Sequence, residues 1–209
     1  MKGGFELEHI FKEGKDQQAP TLLLLHGTGG NERDLLPLAE MIAPDASVLG
    51  VKGNVSENGM PRFFRRLAEG VFDEEDLIAR TLELNDFISE AATNYSFNRE
   101  NILAIGYSNG ANIAASLMYH HKDALKGAIL LHAMVPRRGI EIQDLSNIPI
   151  FIGAGTNDPI IPQAETKELA NELSKANASV TEHWGNAGHQ LTRDEIIKAK
   201  EWYDQYFAN

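Results

Sequence analysis

The sequence predicts an α/β fold, a mostly parallel central sheet with helices on both faces. Three observations predict it. Short apolar runs alternate along the 209 residues with segments of helical spacing, the pattern of repeated strand and helix units. Several runs, Thr21-Leu22-Leu23-Leu24-Leu25 among them, are apolar almost without interruption, as strands covered on both faces are. Two runs break into glycine-rich turns just before a helical segment, at Gly27-Thr28-Gly29-Gly30 and at Gly106-Tyr107-Ser108-Asn109-Gly110.

Taken in order, residues 5–11 largely alternate and suit an edge strand. After a polar connection, residues 21–26 form a strand that runs into the first glycine loop. Asn31 is placed to cap the next helix, with Asp34 in its first turn, Leu35, Leu38, Ala39 and Ile42 on one face, and Pro44 as its stop. Residues 46–51 read as a strand. Residues 52–73 lack periodicity apart from the tight-turn pair Asn58-Gly59, and connections that long in a small domain are usually functional or disordered. The acidic run Asp73-Glu74-Glu75-Asp76 could attract a cation. Carboxylates also favour a helix start through the macrodipole, which is the preferred reading given the apolar stripe Leu77, Thr81, Leu84, Ile88 and Ala91 that follows.

Residues 102–105 predict a buried strand and 111–121 a helix rich in small residues. Strands at 125–134 and 148–155, a helix at 163–176 and a last strand at 179–184 complete the alternation. Thr192 and Glu195 have the spacing of a capping box for a closing helix that reaches Phe207. No repeat, linker or low-complexity tract divides the chain, so residues 1–209 are read as one domain.

Composition limits the chemistry. The net charge of -11 argues against nucleic acid or an anionic membrane as partner, since either calls for a basic patch. The absence of cysteine excludes disulfides, thiolate metal sites and thiol nucleophiles, so a covalent nucleophile is expected to be an oxygen. Residues 1–6 lack the apolar core of a signal peptide and no apolar run reaches membrane-spanning length. A soluble, cytoplasmic protein without stable membrane insertion is therefore expected.

The most specific pattern is the G-x-S-x-G at residues 106–110, set between a strand and a helix. Such a turn forces its central residue into strained backbone geometry at a cost of about 1–3 kcal/mol. Glycines flank it because a Cβ there would meet the strand or the helix. The result is a Ser108 hydroxyl lifted out of the sheet at a helix N-terminus, where a mere connecting turn would need no such strain. A serine hydroxyl is a weak nucleophile and requires a base, itself oriented by a third group.

Functional groups in parallel sheets collect at the carboxyl ends of strands, where Thr28, Asp158 and His189 also fall. Of the seven histidines, His9 and His183 lie in predicted strands, and His120 and His121 close a helix. His132 ends a strand and is the serious competitor of His189, which is preferred because it sits in a glycine-flanked loop after the last strand. Asp158 follows a strand in the turn Gly155-Thr156-Asn157-Asp158-Pro159, unlike Asp144 and Asp194; its structural alternative is an Asx turn. The order Ser108, Asp158, His189 is that of one serine-hydrolase family. The amides of Asn109 and Thr28 are the candidate oxyanion-hole donors. Read as a phosphate cradle, the first glycine loop lacks the Lys-Ser/Thr ending and the dinucleotide spacing.

Four stretches together resemble the phospholipase/carboxylesterase family of the α/β-hydrolase superfamily, which also contains acyl-protein thioesterases. They are Leu25-His26-Gly27-Thr28-Gly29-Gly30-Asn31, Gly106-Tyr107-Ser108-Asn109-Gly110-Ala111, Gly155-Thr156-Asn157-Asp158-Pro159-Ile160-Ile161-Pro162 and Gly188-His189-Gln190. The resemblance spans nearly the whole chain. It implies a Ser108-His189-Asp158 triad, an oxyanion hole from the Thr28 and Asn109 amides, and hydrolysis of carboxylic or thio esters. An esterase working through an acyl-serine requires no cofactor, and no metal is expected. Many family members have Gln or Met after the nucleophile; Asn109 together with Arg62-Phe63-Phe64 is more similar to the bacterial carboxylesterase branch.

A chain of this length leaves no room for an inserted cap domain, so residues 52–73 are expected to cover a shallow, open cleft for a small ester with a short acyl chain. Phe63 or Phe64 is the expected pocket lining, with ordinary core packing as the alternative. Apolar surface around this loop would favour a homodimer, although no pattern specifies one. Two other classes stay open: a ligand sensor that retains the triad with slow turnover, and a peptidase or C–C bond hydrolase, because the nucleophile does not determine the scissile bond.

Overall fold

The structure, a computed structural model, describes residues 7–208. In chain order its elements are β1 (His9–Lys12), β2 (Thr21–Leu25), α1 (Leu36–Ile42), β3 (Val48–Val51), β4 (Val55–Glu57), β5 (Met60–Arg62), β6 (Arg66–Ala68), β7 (Val71–Phe72) and α2 (Glu74–Tyr95). There follow β8 (Ile102–Tyr107), α3 (Asn109–His120), β9 (Gly127–Leu131), β10 (Pro149–Gly155), α4 (Gln163–Lys175), β11 (Ser179–Gly185) and α5 (Arg193–Tyr206). The main sheet has the order β1-β3-β2-β8-β9-β10-β11. Strand β1 runs antiparallel to β3, and the other neighbours are parallel.

The uninterrupted apolar runs are explained by two cores, one on each face of the sheet. Successive side chains of a strand point to opposite faces. Leu23 and Leu25 accordingly join Ala104, Leu130 and Ile152 in one core, closed by α2, α3 and α4. Leu22 and Leu24 join Leu103, Ile105, Ile129 and Phe151 in the other, closed by α1 and α5. The small residues of α3 let it approach closely; Ala111, Ala114 and Ala115 are fully buried.

Several local expectations hold. Asp73 caps α2 by accepting the Asp76 N–H, with Glu74, Glu75 and Asp76 in the first turn. Leu77, Thr81, Leu84, Ile88 and Ala91 all lie on its buried face. Thr192 and Glu195 form the capping box of α5. Asn58 and Gly59 both adopt positive φ between β4 and β5, as a tight hairpin turn requires.

Others need correction. Phe5 and Glu6 of the predicted first strand lie outside the described residues. Asn31 does not cap α1, which begins only at Leu36 and has Pro37 in its first turn. The Asn31 side chain instead accepts the Arg33 N–H, closing an Asx turn within the loop. Residues 52–73 are not irregular: β4 pairs with β5 and β6 with β7 in two small antiparallel sheets. Their two- and three-residue strands are too short to show a period.

Candidate active site

The carboxyl ends of β2, β8, β10 and β11 bring Thr28, Ser108, Asp158 and His189 to one edge of the sheet. Ser108 takes φ 52° and ψ -114° between β8 and α3. Its glycine neighbours are needed for close approach: a Cβ on Gly106 would meet Ala111 at the start of α3, and one on Gly110 would collide with the Leu25 carbonyl of β2. The elbow is thus wedged between strand and helix.

Ser108 Oγ lies 2.9 Å from His189 Nε2, and His189 Nδ1 lies 2.8 Å from Asp158 Oδ2. The partners define the tautomer. An ionised Asp158 only accepts, so Nδ1 carries the proton and Nε2 is free to take one from Ser108. Tyr107 secures the loop by donating its hydroxyl to the His189 carbonyl at 2.8 Å. The β10 and β11 loops are tied together as well, through Asn157 N–H to the Ala187 carbonyl at 3.0 Å.

Asp158 is a saturated acceptor. Its Oδ1 takes the N–H groups of Ile160 at 2.8 Å and Ile161 at 3.0 Å, and its Oδ2 takes His189 and also His132 Nδ1 at 2.9 Å. Burial alone would raise its pKa, but these donors outweigh burial and hold the carboxyl below the usual range. The Asx turn and the charge partner, weighed as alternatives from sequence, are therefore one residue in two roles. His132 likewise shares Asp158 with His189, but Ser108 is bonded to His189.

Thr28 and Asn109 border the same cleft of about 290 Å³ as Ser108 and His189. Asn109 opens α3, where N–H groups and the helix dipole favour negative charge. Its side chain does a different job: Oδ1 accepts the Phe63 N–H at 2.7 Å. The Thr28 hydroxyl accepts Arg62 Nη1 at 2.7 Å, and the Gly29 N–H reaches the Pro61 carbonyl at 2.9 Å. Pro61, Arg62 and Phe63 therefore hold the chain on both sides of the candidate oxyanion hole.

Phe63 and Phe64 do not line the cleft. Both are buried, Phe63 against the His26 ring and Phe64 edge-on to Phe72, beneath the Arg62 guanidinium. The wall is made instead by Arg62, Arg66, Phe72, Met134, Ile160 and Ile161. Arg62 and Arg66 converge on the two carboxylate oxygens of Glu57. Burial lowers the Arg62 pKa, reinforced by the neighbouring charge of Arg66.

His26 went unrecognised in the sequence. It is buried, with Nδ1 donating to the Gly27 carbonyl at 2.6 Å and Nε2 accepting the Gly53 N–H at 3.0 Å. It pins the glycine loop to the chain beyond β3. Burial pushes its pKa down, in keeping with that neutral tautomer. A polar residue closing an apolar strand was the available signal.

His132, Asp158 and His189 each point a ligand-type atom toward the others, a grouping that could surround a cation. The hydrogen bonds already described account for it. Among the described residues, no helix is long and apolar enough to cross a membrane.

A model of the phospholipase/carboxylesterase family matches residues 8–206. The chain is similar to hydrolase MhqD of Bacillus subtilis, with 57% identity covering 95% of this chain and 98% of that protein. It is 29% identical to acyl-protein thioesterase 1 of Cryptococcus neoformans over 74% of this chain and 73% of the relative. Among solved structures, the carboxylesterase of Bacillus cereus superposes with a TM-score of 0.96 and 64% identity, covering 99% of this chain and 97% of the other.

Proposed function

We propose that this chain, which belongs to the phospholipase/carboxylesterase family of the α/β-hydrolase fold and is a carboxylic ester hydrolase, cleaves its ester through a covalent acyl-enzyme on Ser108. The observation that carries this reading is the unbroken line from Ser108 Oγ to His189 Nε2, and from His189 Nδ1 to Asp158 Oδ2. As Ser108 attacks the ester carbonyl, its proton passes to His189. Asp158 stabilises the resulting imidazolium, and the Thr28 and Asn109 amides receive the oxyanion. His189 then protonates the leaving alcohol and the tetrahedral intermediate collapses to the acyl-serine. Water, deprotonated by His189, attacks next; the acid departs and Ser108 recovers its proton.

The walls support a substrate class. Phe72, Met134, Ile160 and Ile161 supply apolar surface for a short acyl or alcohol group, whereas Arg62 and Arg66, both paired with Glu57, add charge to the lining. A small ester with a short acyl chain fits that wall best, and thioesters of the same size are included, as the name of the thioesterase relative supports.

The test is a chain-length series of acyl esters and thioesters on wild type and Ser108→Ala, with fluorophosphonate labelling. Short esters should turn over fastest, and Ser108→Ala should lose both turnover and labelling while keeping its fold. Unchanged hydrolysis in that variant overturns the mechanism. Activity that climbs steadily with chain length overturns the substrate class.

A further inference from the structure

Asp158 is gripped by two histidines, and the second has no part in the proton relay from Ser108. His132 follows β9 with φ 54° and is 2% exposed. Its own N–H donates to the Gly153 carbonyl at 2.8 Å. Its Nδ1 lies 2.9 Å from Asp158 Oδ2, and its Nε2 lies 3.4 Å from Oε2 of Glu195, a buried carboxylate from α5. Glu195 Oε2 is also approached by the Thr192 N–H at 3.5 Å, whereas Oε1 is buried without a partner. Gly153 makes this approach feasible, because a Cβ there would collide with Glu195 Oε1.

Asp158 Oδ2 accepts from both Nδ1 atoms, so each ring carries a proton there. His189 then keeps a free Nε2 for Ser108. His132 faces Glu195 Oε2 at Nε2 as well; an ionised Glu195 can only accept, and with it so taken that nitrogen is protonated too. We propose that His132 is a positioning residue held as an imidazolium between Asp158 and Glu195, and that its charge keeps His189 free of a proton, and so competent as a base, at lower pH. This rests on the triad reading given above.

The groups that face His132 are few. Asp158 comes from the β10 loop, Glu195 from α5, His189 from the β11 loop at a ring distance of 5.2 Å, and Tyr107 from β8 at 5.9 Å. Among the described residues, neither Asp158 nor Glu195 forms an ion pair with Lys or Arg, which leaves the histidines as their cationic partners. Burial works against a charge on His132, but the hydrogen bonds and charges of Glu195 and Asp158 outweigh it and raise its pKa. The charges also balance through the cycle. With two carboxylates and one imidazolium, the cluster carries a single negative charge at rest and becomes neutral when His189 takes the serine proton. A positive His132 beside His189 opposes premature protonation of the base, since like charges disfavour one another.

The experiment is ¹⁵N NMR of histidine-labelled protein across pH 5 to 9, with wild type, His132→Asn and Glu195→Gln compared, together with kcat/KM profiles. Asn tolerates a positive φ and retains an N–H for Asp158, but lacks both the charge and the reach to Glu195. The resonances lost in His132→Asn should have imidazolium shifts at neutral pH and become those of a neutral tautomer in Glu195→Gln. The acidic limb of kcat/KM should move upward in His132→Asn by roughly 0.5–1 pH unit. A neutral His132 in wild type overturns the proposal, as does an imidazolium that persists in Glu195→Gln. A His132→Asn enzyme slowed equally at every pH, with its limb unmoved, reduces the residue to a structural one and also overturns it. The His132 resonances should be unaltered in Ser108→Ala, so the charge is read independently of turnover and of whether Ser108 is the nucleophile.

Discussion

The side chain of Asn109 accepts the backbone N–H of Phe63 at 2.7 Å, across 46 residues of sequence. Next to the elbow, one amide oxygen thereby anchors the excursion that walls the cleft. Asn109→Ala leaves the buried Phe63 N–H without an acceptor, a loss of about 1–3 kcal/mol. Urea denaturation should show the fall as a lower midpoint with an unchanged slope. Turnover should fall with it, because the Thr28 loop is braced by the same excursion.

Ser108 stores strain. At φ 52° and ψ -114°, a residue with a Cβ is held where glycine is at ease. Ser108→Gly should therefore raise the melting temperature, corresponding to roughly 1 kcal/mol of recovered strain, while abolishing turnover. Ser108→Ala keeps the Cβ and should show no such gain; equal melting temperatures for the two variants would refute the strain.

Asp158 links the site to acid stability. Its folded pKa lies below the ordinary carboxylate value, so the unfolded chain takes up the proton first as pH falls. The stabilisation is complete above the unfolded pKa, about 4. It is lost as pH drops through the lower folded value. Asp158→Asn should remove this component, so the difference in stability between wild type and variant should shrink on titration from pH 6 to pH 3. At neutral pH the variant should lose roughly 10⁴-fold in kcat, because the neutral amide no longer supports the His189 tautomer and imidazolium.

Thr192 tests a purely structural contribution. Its hydroxyl accepts the Glu195 N–H at 3.2 Å in the capping box of α5. Thr192→Ala should cost about 1 kcal/mol in chemical denaturation, with kcat at neutral pH close to that of wild type.

Much of this was legible in linear order. The elbow needs glycines at 106 and 110 because of contacts within one strand-turn-helix unit, so five residues suffice to identify it. Asp158 and His189 stand out by the same means, as turn residues after apolar runs. The capping box and the acidic start of α2 are local for the same reason, each lying within four residues. Phe63 and Phe64 were misread because aromatic residues in a long connection look alike whether they face a ligand or a core. Which way they point depends on α2 and on His26, brought in from elsewhere.

By itself, then, the sequence determined the alternation of strands and helices and pointed to Ser108, Asp158 and His189, which the structure joins in one hydrogen-bonded line, because hydrophobic period, backbone sterics and turn chemistry act over a few residues. The tertiary structure alone decided what surrounds them. Arg62, Arg66 and Glu57 become one wall, and His26 joins two loops. His132, Asp158 and Glu195 become one buried charge cluster. Those relations depend on distances between elements far apart in the chain, set by how helices close on the two faces of the sheet, and no local spacing encodes them.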